Sequence, residues 1–205
     1  MQRWMRLLWT LTLPGTFLFS GAGLLWLYKF RSEEGTFYER LVNYTADWIG
    51  AHILLFISVL LLIPASLLLW SLVRGKKGAT LADIALILVM IAAFFLGGQY
   101  SIDFLMPSIA EIGGDAHAVH RGLFSNPLTN IMFYELAELN AIGLLLLTIA
   151  LAWSGILSRP HMIILLALWL LVIAGNILDF ALAARLSLLA LGLAYIPIAG
   201  KRAAS

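Results

Sequence analysis

The chain has 205 residues, of which 62% are hydrophobic and only 12% are charged, and its formal net charge is +2. Soluble domains are roughly 45–50% apolar and about 25% charged, so a soluble fold of this length could not bury so much apolar surface. The absence of cysteine excludes disulfides, thiolate metal sites and cysteine nucleophiles. The basic residues flank apolar segments, a pattern that suits a lipid bilayer and not nucleic acid.

Six apolar segments approach the length of about 20 residues that a helix needs to cross the ~30 Å hydrocarbon core of a bilayer. The sequence therefore predicts an all-α, polytopic membrane protein: one transmembrane domain over residues 1–205, a bundle of about six helices. The predicted spans are 7–28, 50–73, 80–106, 127–153, 161–175 and 177–199. The first is too long for a signal peptide and shows no clear cleavage site, so we expect it to be retained.

Prolines and one capping signal help to place the helices. Pro14 and Pro64 lie inside the first and second spans, where each predicts a kink. Pro107 is expected to end the third span. Asn126 followed by Pro127 has the pattern of an N-cap and a proline at the first helical position, so the fourth span is predicted to begin there.

The boundary between the last two spans is less well marked, because residues 161–199 are too long for a single crossing. Gly175 and Asn176 form the only conventional helix breaker in this stretch and separate a short fifth span from a sixth. A break near Ala183 and Ala184 is the alternative.

Two longer loops are each predicted to contain a short interfacial helix on the outer side. Residues 30–49 carry large apolar side chains at helical spacing, namely Phe37, Leu41, Tyr44 and Trp48. In residues 107–126, Asp115 is a candidate N-cap for a helix that runs to Phe124.

The distribution of basic residues predicts the orientation, since Lys and Arg are enriched in cytoplasmic loops. With the N-terminus inside, the cytoplasmic side holds Arg3, Arg6, Arg74, Lys76, Lys77, Arg159, Lys201 and Arg202. An even number of spans then places both termini in the cytoplasm. We expect the protein to lie in the cell (inner) membrane.

Acidic and polar residues within the outer halves of the spans mark the candidate site. A charge at the centre of a membrane helix costs at least ~2.5–3.5 kcal/mol, so such residues usually face the bundle interior or an aqueous cavity. The predicted ligand-binding residues are Glu135, Glu138, Asp103, Gln99, Asp179, Arg185, His52 and Asn176. Helical spacing puts Gln99 with Asp103 on one face, and Glu135 with Glu138 on another.

Arg185 is predicted to pair with Glu138, because both lie about 12 Å below the outer helix ends at 1.5 Å per residue. Asp179, six residues earlier, falls on a different face of the helix. Such a pair, with Gln99 and Asn176 as interhelical hydrogen-bond donors, could simply hold the bundle together. The second glutamate favours a working cavity, since another buried carboxylate needs a proton, a cation or a ligand.

A metal site is an open alternative. His117 and His120 are three residues apart and would share a face of the second loop helix. Folded over the bundle, they would provide nitrogen ligands for zinc or another divalent ion. The candidate oxygen ligands are Glu111, Asp115, Glu135 and Glu138. The spacing matches no established zinc signature.

The leading hypothesis is an outward-facing acidic pocket that binds, and in one version transports, a cationic or polar small molecule. One alternative is a membrane-embedded metal-dependent hydrolase with a metal-bound water as nucleophile. Another is a non-catalytic subunit of a larger membrane complex, and a homo-oligomer is also open. No nucleophile elbow, P-loop or Rossmann pattern points to an enzyme, and no cofactor other than a divalent metal is suggested.

Overall fold

A computed structural model describes the backbone of residues 3–178 and 180–201, and the side chains of 10–116, 118–178 and 180–199. All regular structure in the described ranges is helical. The long helices are α1 (Arg3–Ser32), α3 (Thr45–Val73), α4 (Ala79–Glu111), α7 (Leu139–Trp153), α8 (Arg159–Ile177) and α9 (Ala181–Lys201). The short ones are α2 (Phe37–Asn43), α5 (Ala116–Ser125) and α6 (Pro127–Asn130).

Six helical segments are long and apolar enough to cross a membrane. They cover Thr10–Ser32, Thr45–Val73, Ala79–Glu111, Pro127–Trp153, Arg159–Ile177 and Ala181–Ala199. The predicted bundle of six transmembrane helices with two short helices between spans is confirmed. Because successive spans alternate in direction, the start of α1 and the end of α9 lie at one end of the bundle, and α2 and α5 lie at the other.

The third span ends later than the sequence predicts. Pro107 is buried inside α4, which continues to Glu111, so the expectation that Pro107 stops the helix is wrong. Proline removes one backbone donor, a loss that the packed surroundings of a membrane helix tolerate. The stop is Gly113, whose φ of 75° is left-handed and allows Gly114 N–H to donate to Ile109 O at 2.8 Å.

The turn between the last two spans also lies a few residues later than predicted. Helix α8 continues through Gly175 to Ile177, and α9 begins at Ala181. Gly175 serves close packing and not a break: a Cβ placed there would lie 2.9 Å from Ala184 N. The alternative break near Ala184 falls inside α9.

Both helix caps that the sequence predicts are present in the structure. Asn126 Oδ1 accepts hydrogen bonds from the backbone of Leu128 and Thr129 at the start of the fourth span, as predicted. Asp115 Oδ1 accepts from Ala118 N at 2.7 Å and caps α5, again as predicted. Trp48, by contrast, belongs to the spanning helix α3 and not to the interfacial helix α2.

The helices form two buried apolar cores. In the ring of neighbours, α1 packs against α3 and α9, α4 packs against α3 and α7, and α8 packs against α9. The larger core lies towards the end that holds the termini and includes Leu69, Leu147 and Ile198. The smaller core lies towards α2 and includes Leu41, Met106 and Ala116.

Candidate ligand-binding cavity

A cavity of about 650 Å³ lies between the two cores. Its wall is built from α1, α3, α4, α5, α8, α9 and the fourth span. Small-molecule sites usually measure about 300–1,000 Å³ and combine apolar walls with a few polar groups. This cavity has both the volume and the mixed lining of such a site.

The structure places most of the predicted ligand-binding residues on the wall of this single cavity. They are His52 of α3, Gln99 and Asp103 of α4, Glu138 of the fourth span, Asn176 of α8 and Arg185 of α9. They come from five different segments, so their convergence depends on how the helices pack. Of the two predicted metal-ligating histidines, His120 lines the same cavity, and the side chain of His117 lies outside the described ones.

Glu135 is the predicted residue that the structure places elsewhere. Its side chain is exposed and does not line the cavity, and its Oε1 accepts a hydrogen bond from Asn130 Nδ2 at 2.9 Å. The expectation that Glu135 and Glu138 face one cavity is therefore not met. Asp179 lies outside the described residues.

The fourth span is irregular where these glutamates lie. After α6 it winds as a π-helical turn over Ile131–Glu135 and then as a 3₁₀ turn over Leu136–Glu138, before α7 begins. The hydrogen bond from Asn130 to Glu135 joins the side chain just before the π turn to that of the turn's last residue. Single π turns inside α-helices are frequent at functional sites, and here the π turn lies three residues before the cavity-lining Glu138.

The most ordered part of the cavity wall is a hydrogen-bonded group of Trp48, His52 and Asp103. His52 Nδ1 lies 2.7 Å from Trp48 O, and its Nε2 lies 3.4 Å from Asp103 Oδ2. Trp48 Nε1–H donates to the backbone oxygen of Asp103 at 2.8 Å. His52 and Asp103 are 2% and 7% exposed, so this group joins α3 to α4 in a nearly buried position.

The charges on the wall do not have one sign. Asp103 and Glu138 contribute carboxylates, and Arg31 and Arg185 contribute guanidinium groups. The wall is thus mixed and not simply acidic. Between described side chains, the structure has an ion pair from His52 to Asp103 and not the predicted one from Glu138 to Arg185. The guanidinium of Arg185 lies 5.1 Å from the centre of the Tyr28 ring.

The floor of the cavity is formed by Phe17 and Trp169, and Thr148 and Tyr195 pack behind them; we call these four residues the Trp169 group. Trp169 Nε1–H lies 3.1 Å from Thr148 Oγ1 and 3.3 Å from Tyr195 OH. Phe17 stacks on Tyr195 with ring centres 4.9 Å apart. All four side chains are buried, so this end of the cavity is lined by tightly packed side chains.

Aromatic side chains and one arginine surround the other end of the cavity. Phe124 of α5 stacks on Tyr134 at 4.0 Å, and His120 packs between Phe124 and Phe37 at 4.7 and 5.4 Å. Arg31, at the end of α1, completes this rim. Within the described residues, no group of three or more His, Asp or Glu side chains could hold a metal ion.

Sequence reasoning missed Trp48, Tyr100 and Arg31 as cavity residues. Trp48 precedes His52 by four residues, so the two share a helix face, and this spacing could have connected them. Arg31 follows an apolar span and looked like an ordinary loop residue.

Fold and cavity together define the class: a multi-pass helical membrane protein whose helices line a cavity of about 650 Å³. Comparison of the chain with protein-family models, with curated proteins and with solved structures finds no match.

Proposed function

We propose that the cavity binds a polar small molecule that carries a cationic group, and that Glu138 is the main contact for this group. The observation that supports the proposal is the position of two carboxylates, those of Glu138 and Asp103, on the wall of a cavity of about 650 Å³ within the spans. Asp103 already has His52 as its partner, so Glu138 is the carboxylate left to meet a ligand.

The rest of the lining suits such a ligand. Trp48, Tyr100 and Trp169 present aromatic surface, and aromatic faces attract organic cations. The amides of Gln99 and Asn176 can donate to and accept from polar groups of the ligand. The two arginines keep the wall near electrical neutrality, which favours a ligand with both a cationic and an anionic group over a simple cation.

The cavity is proposed to open to the outside of the cell. The basic residues predict that the end holding the termini is cytoplasmic, and the Trp169 group closes that end. A ligand would then enter past α2 and α5. Transport would require a second state in which the Trp169 group opens, whereas a receptor or sensor would not need one.

A cysteine reporter tests the charge preference, and the natural absence of cysteine makes its reading unambiguous. Ser58 lines the cavity, so Ser58→Cys places a thiol on its wall. We expect the trimethylammonium-ethyl methanethiosulfonate to react faster than the anionic sulfonatoethyl reagent. This rate ratio should exceed the same ratio for 2-mercaptoethanol, because the carboxylate of Glu138 attracts the cationic reagent, although Arg31 and Arg185 offset part of that attraction.

Glu138→Gln should remove most of this preference, because it replaces the carboxylate with an amide of nearly the same shape. Asp83→Asn is the matched control: Asp83 lies at the opposite end, where it accepts a hydrogen bond from Trp70. A ratio that equals that of 2-mercaptoethanol, or that does not respond to Glu138→Gln, would contradict the proposal. Uptake of glycine betaine, which carries a cationic and an anionic group, by proteoliposomes that contain Ser58→Cys, together with loss of that uptake when the thiol is labelled, would distinguish a transporter from a receptor.

A further inference from the structure

The hydrogen bonding of His52 determines where one of its protons must lie. Its Nδ1 is 2.7 Å from the backbone oxygen of Trp48. A carbonyl oxygen can only accept, so Nδ1 must carry hydrogen and donate it. Rotating the ring by 180° would put a carbon at this position, and C–H···O contacts are longer, about 3.3–3.6 Å. The ring orientation is therefore determined by the distance.

The other ring nitrogen then faces a carboxylate. Nε2 of His52 lies 3.4 Å from Oδ2 of Asp103. In a neutral ring with Nδ1–H, Nε2 presents a lone pair, which would repel a carboxylate oxygen. Two arrangements avoid this repulsion: an imidazolium beside a carboxylate, or a neutral imidazole that accepts a hydrogen bond from a protonated carboxyl. Both contain the same number of protons, one more than a neutral histidine beside a carboxylate.

Trp48 holds this pair in three ways. Its carbonyl binds Nδ1–H, and its indole N–H binds the backbone oxygen of Asp103 at 2.8 Å. Its ring lies 4.3 Å from the His52 ring, where an aromatic face favours a positively charged imidazole. Trp48 is therefore a positioning residue for the pair.

The pair is nearly buried but not isolated from the cavity. Both side chains line it, so a proton can leave towards the end that holds α2 and α5. The other titratable or charged groups on the cavity wall are Arg31 of α1, Tyr100 of α4, His120 of α5, Tyr134 and Glu138 of the fourth span, and Arg185 of α9. Glu138 is the carboxylate among them that would share a cation with a deprotonated pair.

We propose that His52 and Asp103 form a proton-binding site in the cavity wall, and that this proton exchanges with the cationic group of the ligand. With the proton bound, the pair is electrically neutral. When the proton leaves to solvent, neutral His52 keeps Nδ1–H, Asp103 remains a carboxylate, and the wall gains one negative charge. A cation then binds more tightly than it does beside the protonated pair, so its binding is accompanied by release of one proton. The exchange rests on the proposed function, whereas the proton site itself does not.

The proton site is tested on the unmodified chain by ¹⁵N spectra of histidine-labelled protein in detergent or bilayers. The chain has four histidines, and His52→Gln identifies the signal of His52. We expect Nδ1 of His52 to carry hydrogen throughout the pH range in which the fold persists. As the pH rises, the proton shared between His52 Nε2 and Asp103 should be lost in one step. Asp103→Asn should change the pH at which this loss occurs. A bare Nδ1 with hydrogen on Nε2, or a step unaffected by Asp103→Asn, would overturn the proton site.

The exchange is tested with the thiol reporter. For Ser58→Cys, the cationic-to-anionic rate ratio should rise with pH by up to about tenfold, since one negative charge is added to the wall. Using the ratio cancels the pH dependence of the thiol itself. His52→Gln and Asp103→Asn should each remove the rise, and Asp83→Asn should preserve it. A ratio independent of pH in the parent chain would overturn the exchange.

The two proposals can fail separately. If the spectra show the expected His52 protonation but Glu138→Gln leaves the rate ratio unchanged, the proton site stands and the proposed cation site is wrong. If the ratio depends on Glu138 but is independent of pH, the cation site stands and the proton exchange is wrong.

Discussion

Two tryptophan-centred groups of hydrogen bonds connect helices in this bundle, and they differ in one respect. Trp169 binds the hydroxyls of Thr148 and Tyr195 in the larger core. Trp48 binds the backbone of Asp103, whose carboxylate pairs with His52 on the wall of the cavity. Both groups use a buried indole N–H to join helices, but only the second contains an imidazole and a carboxylate.

The difference suits the positions of the two groups, since the Trp169 group forms the floor of the cavity and the Trp48 group, which consists of Trp48, His52 and Asp103, lies in its side wall. Hydroxyls that bind one another carry no net charge, so they can be enclosed once their hydrogen bonds are made. An imidazole beside a carboxylate changes its charge with each proton, and a fully enclosed site would oppose one of the two states strongly. The Trp169 group is therefore suited to closing the floor of the cavity. The Trp48 group is suited to a site that exchanges protons.

The largest expected effect is a difference in thiol reactivity between the two halves of α3. Ser58 lines the cavity and Ser66 is in the sealed part, yet both are buried serines that donate to a backbone oxygen of their own helix. Ser58→Cys should react with a water-soluble thiol reagent, and Ser66→Cys should not. Reaction of Ser58→Cys on intact cells would also support the outward opening. Equal labelling of both thiols would show that the halves do not differ.

Truncation of Trp169 should cost the most stability. The side chain is 1% exposed and packs edge-on against Phe17 with ring centres 5.9 Å apart. Trp169→Ala should lower the free energy of unfolding by about 3–5 kcal/mol, as for other large core truncations. Trp153→Ala is the control, because Trp153 is 63% exposed and should matter little. Similar losses in the two variants, measured by reversible unfolding in mixed micelles, would argue against a sealed floor.

Removal of Asp103 should cost less than removal of Trp169, because it deletes a small side chain with one partner, His52, and not a large buried ring. Asp103→Ala should destabilise the chain by about 1–3 kcal/mol, the cost of leaving a buried polar group without its partner. Asp47→Ala is a useful comparison. Asp47 also accepts a hydrogen bond from a tryptophan, Trp26, but it lies outside the cavity and is less buried than Asp103. If the same unfolding measurement gave an equal loss of unfolding free energy for Asp47→Ala, the buried pair of His52 and Asp103 would have no special role in stability.

Loss of the Tyr195 hydroxyl should have a smaller effect. Tyr195→Phe keeps the stacking on Phe17 but removes the hydrogen bonds to Trp169 and Thr148. A cost of about 0.5–1.5 kcal/mol is expected, within the range for hydrogen bonds in membrane proteins. Tyr28→Phe, at an exposed position, should be nearly silent. A loss as large as that for Trp169→Ala would mean that the hydroxyl, and not the packing, seals the floor.

The smallest effect concerns an exposed carboxylate outside both groups. The backbone N–H of Thr36, followed by its side chain, lowers the pKa of Glu39 below its ordinary value of 4.5. The charged form therefore stabilises the start of α2 above that value, and the stabilisation is lost as pH falls through the lowered pKa. Hydrogen exchange of α2 amides should accelerate there, and Glu39→Gln should abolish this pH dependence. Amides at the start of α6, which the neutral side chain of Asn126 caps, provide the control.

Features that depend on a few neighbouring residues were predictable from the sequence. Asn126 and Asp115 were recognised as helix caps because a side chain two or three residues from a free backbone N–H satisfies it locally. The end of α4 was predicted at Pro107 instead of Gly113, because proline is tolerated inside a packed membrane helix while the left-handed glycine ends it.

The chain's amino-acid sequence by itself determined the six apolar spans, the short helices between them and the polar residues that had to avoid lipid, because hydropathy and capping act within one segment. Only the tertiary structure decided which of those polar residues meet. The π turn separates Glu135 from the cavity that Glu138 lines, and the packing of α3 on α4 brings His52 to Asp103. Contacts across helices depend on the rotation and winding of each one, and no pattern within a single span contains that information.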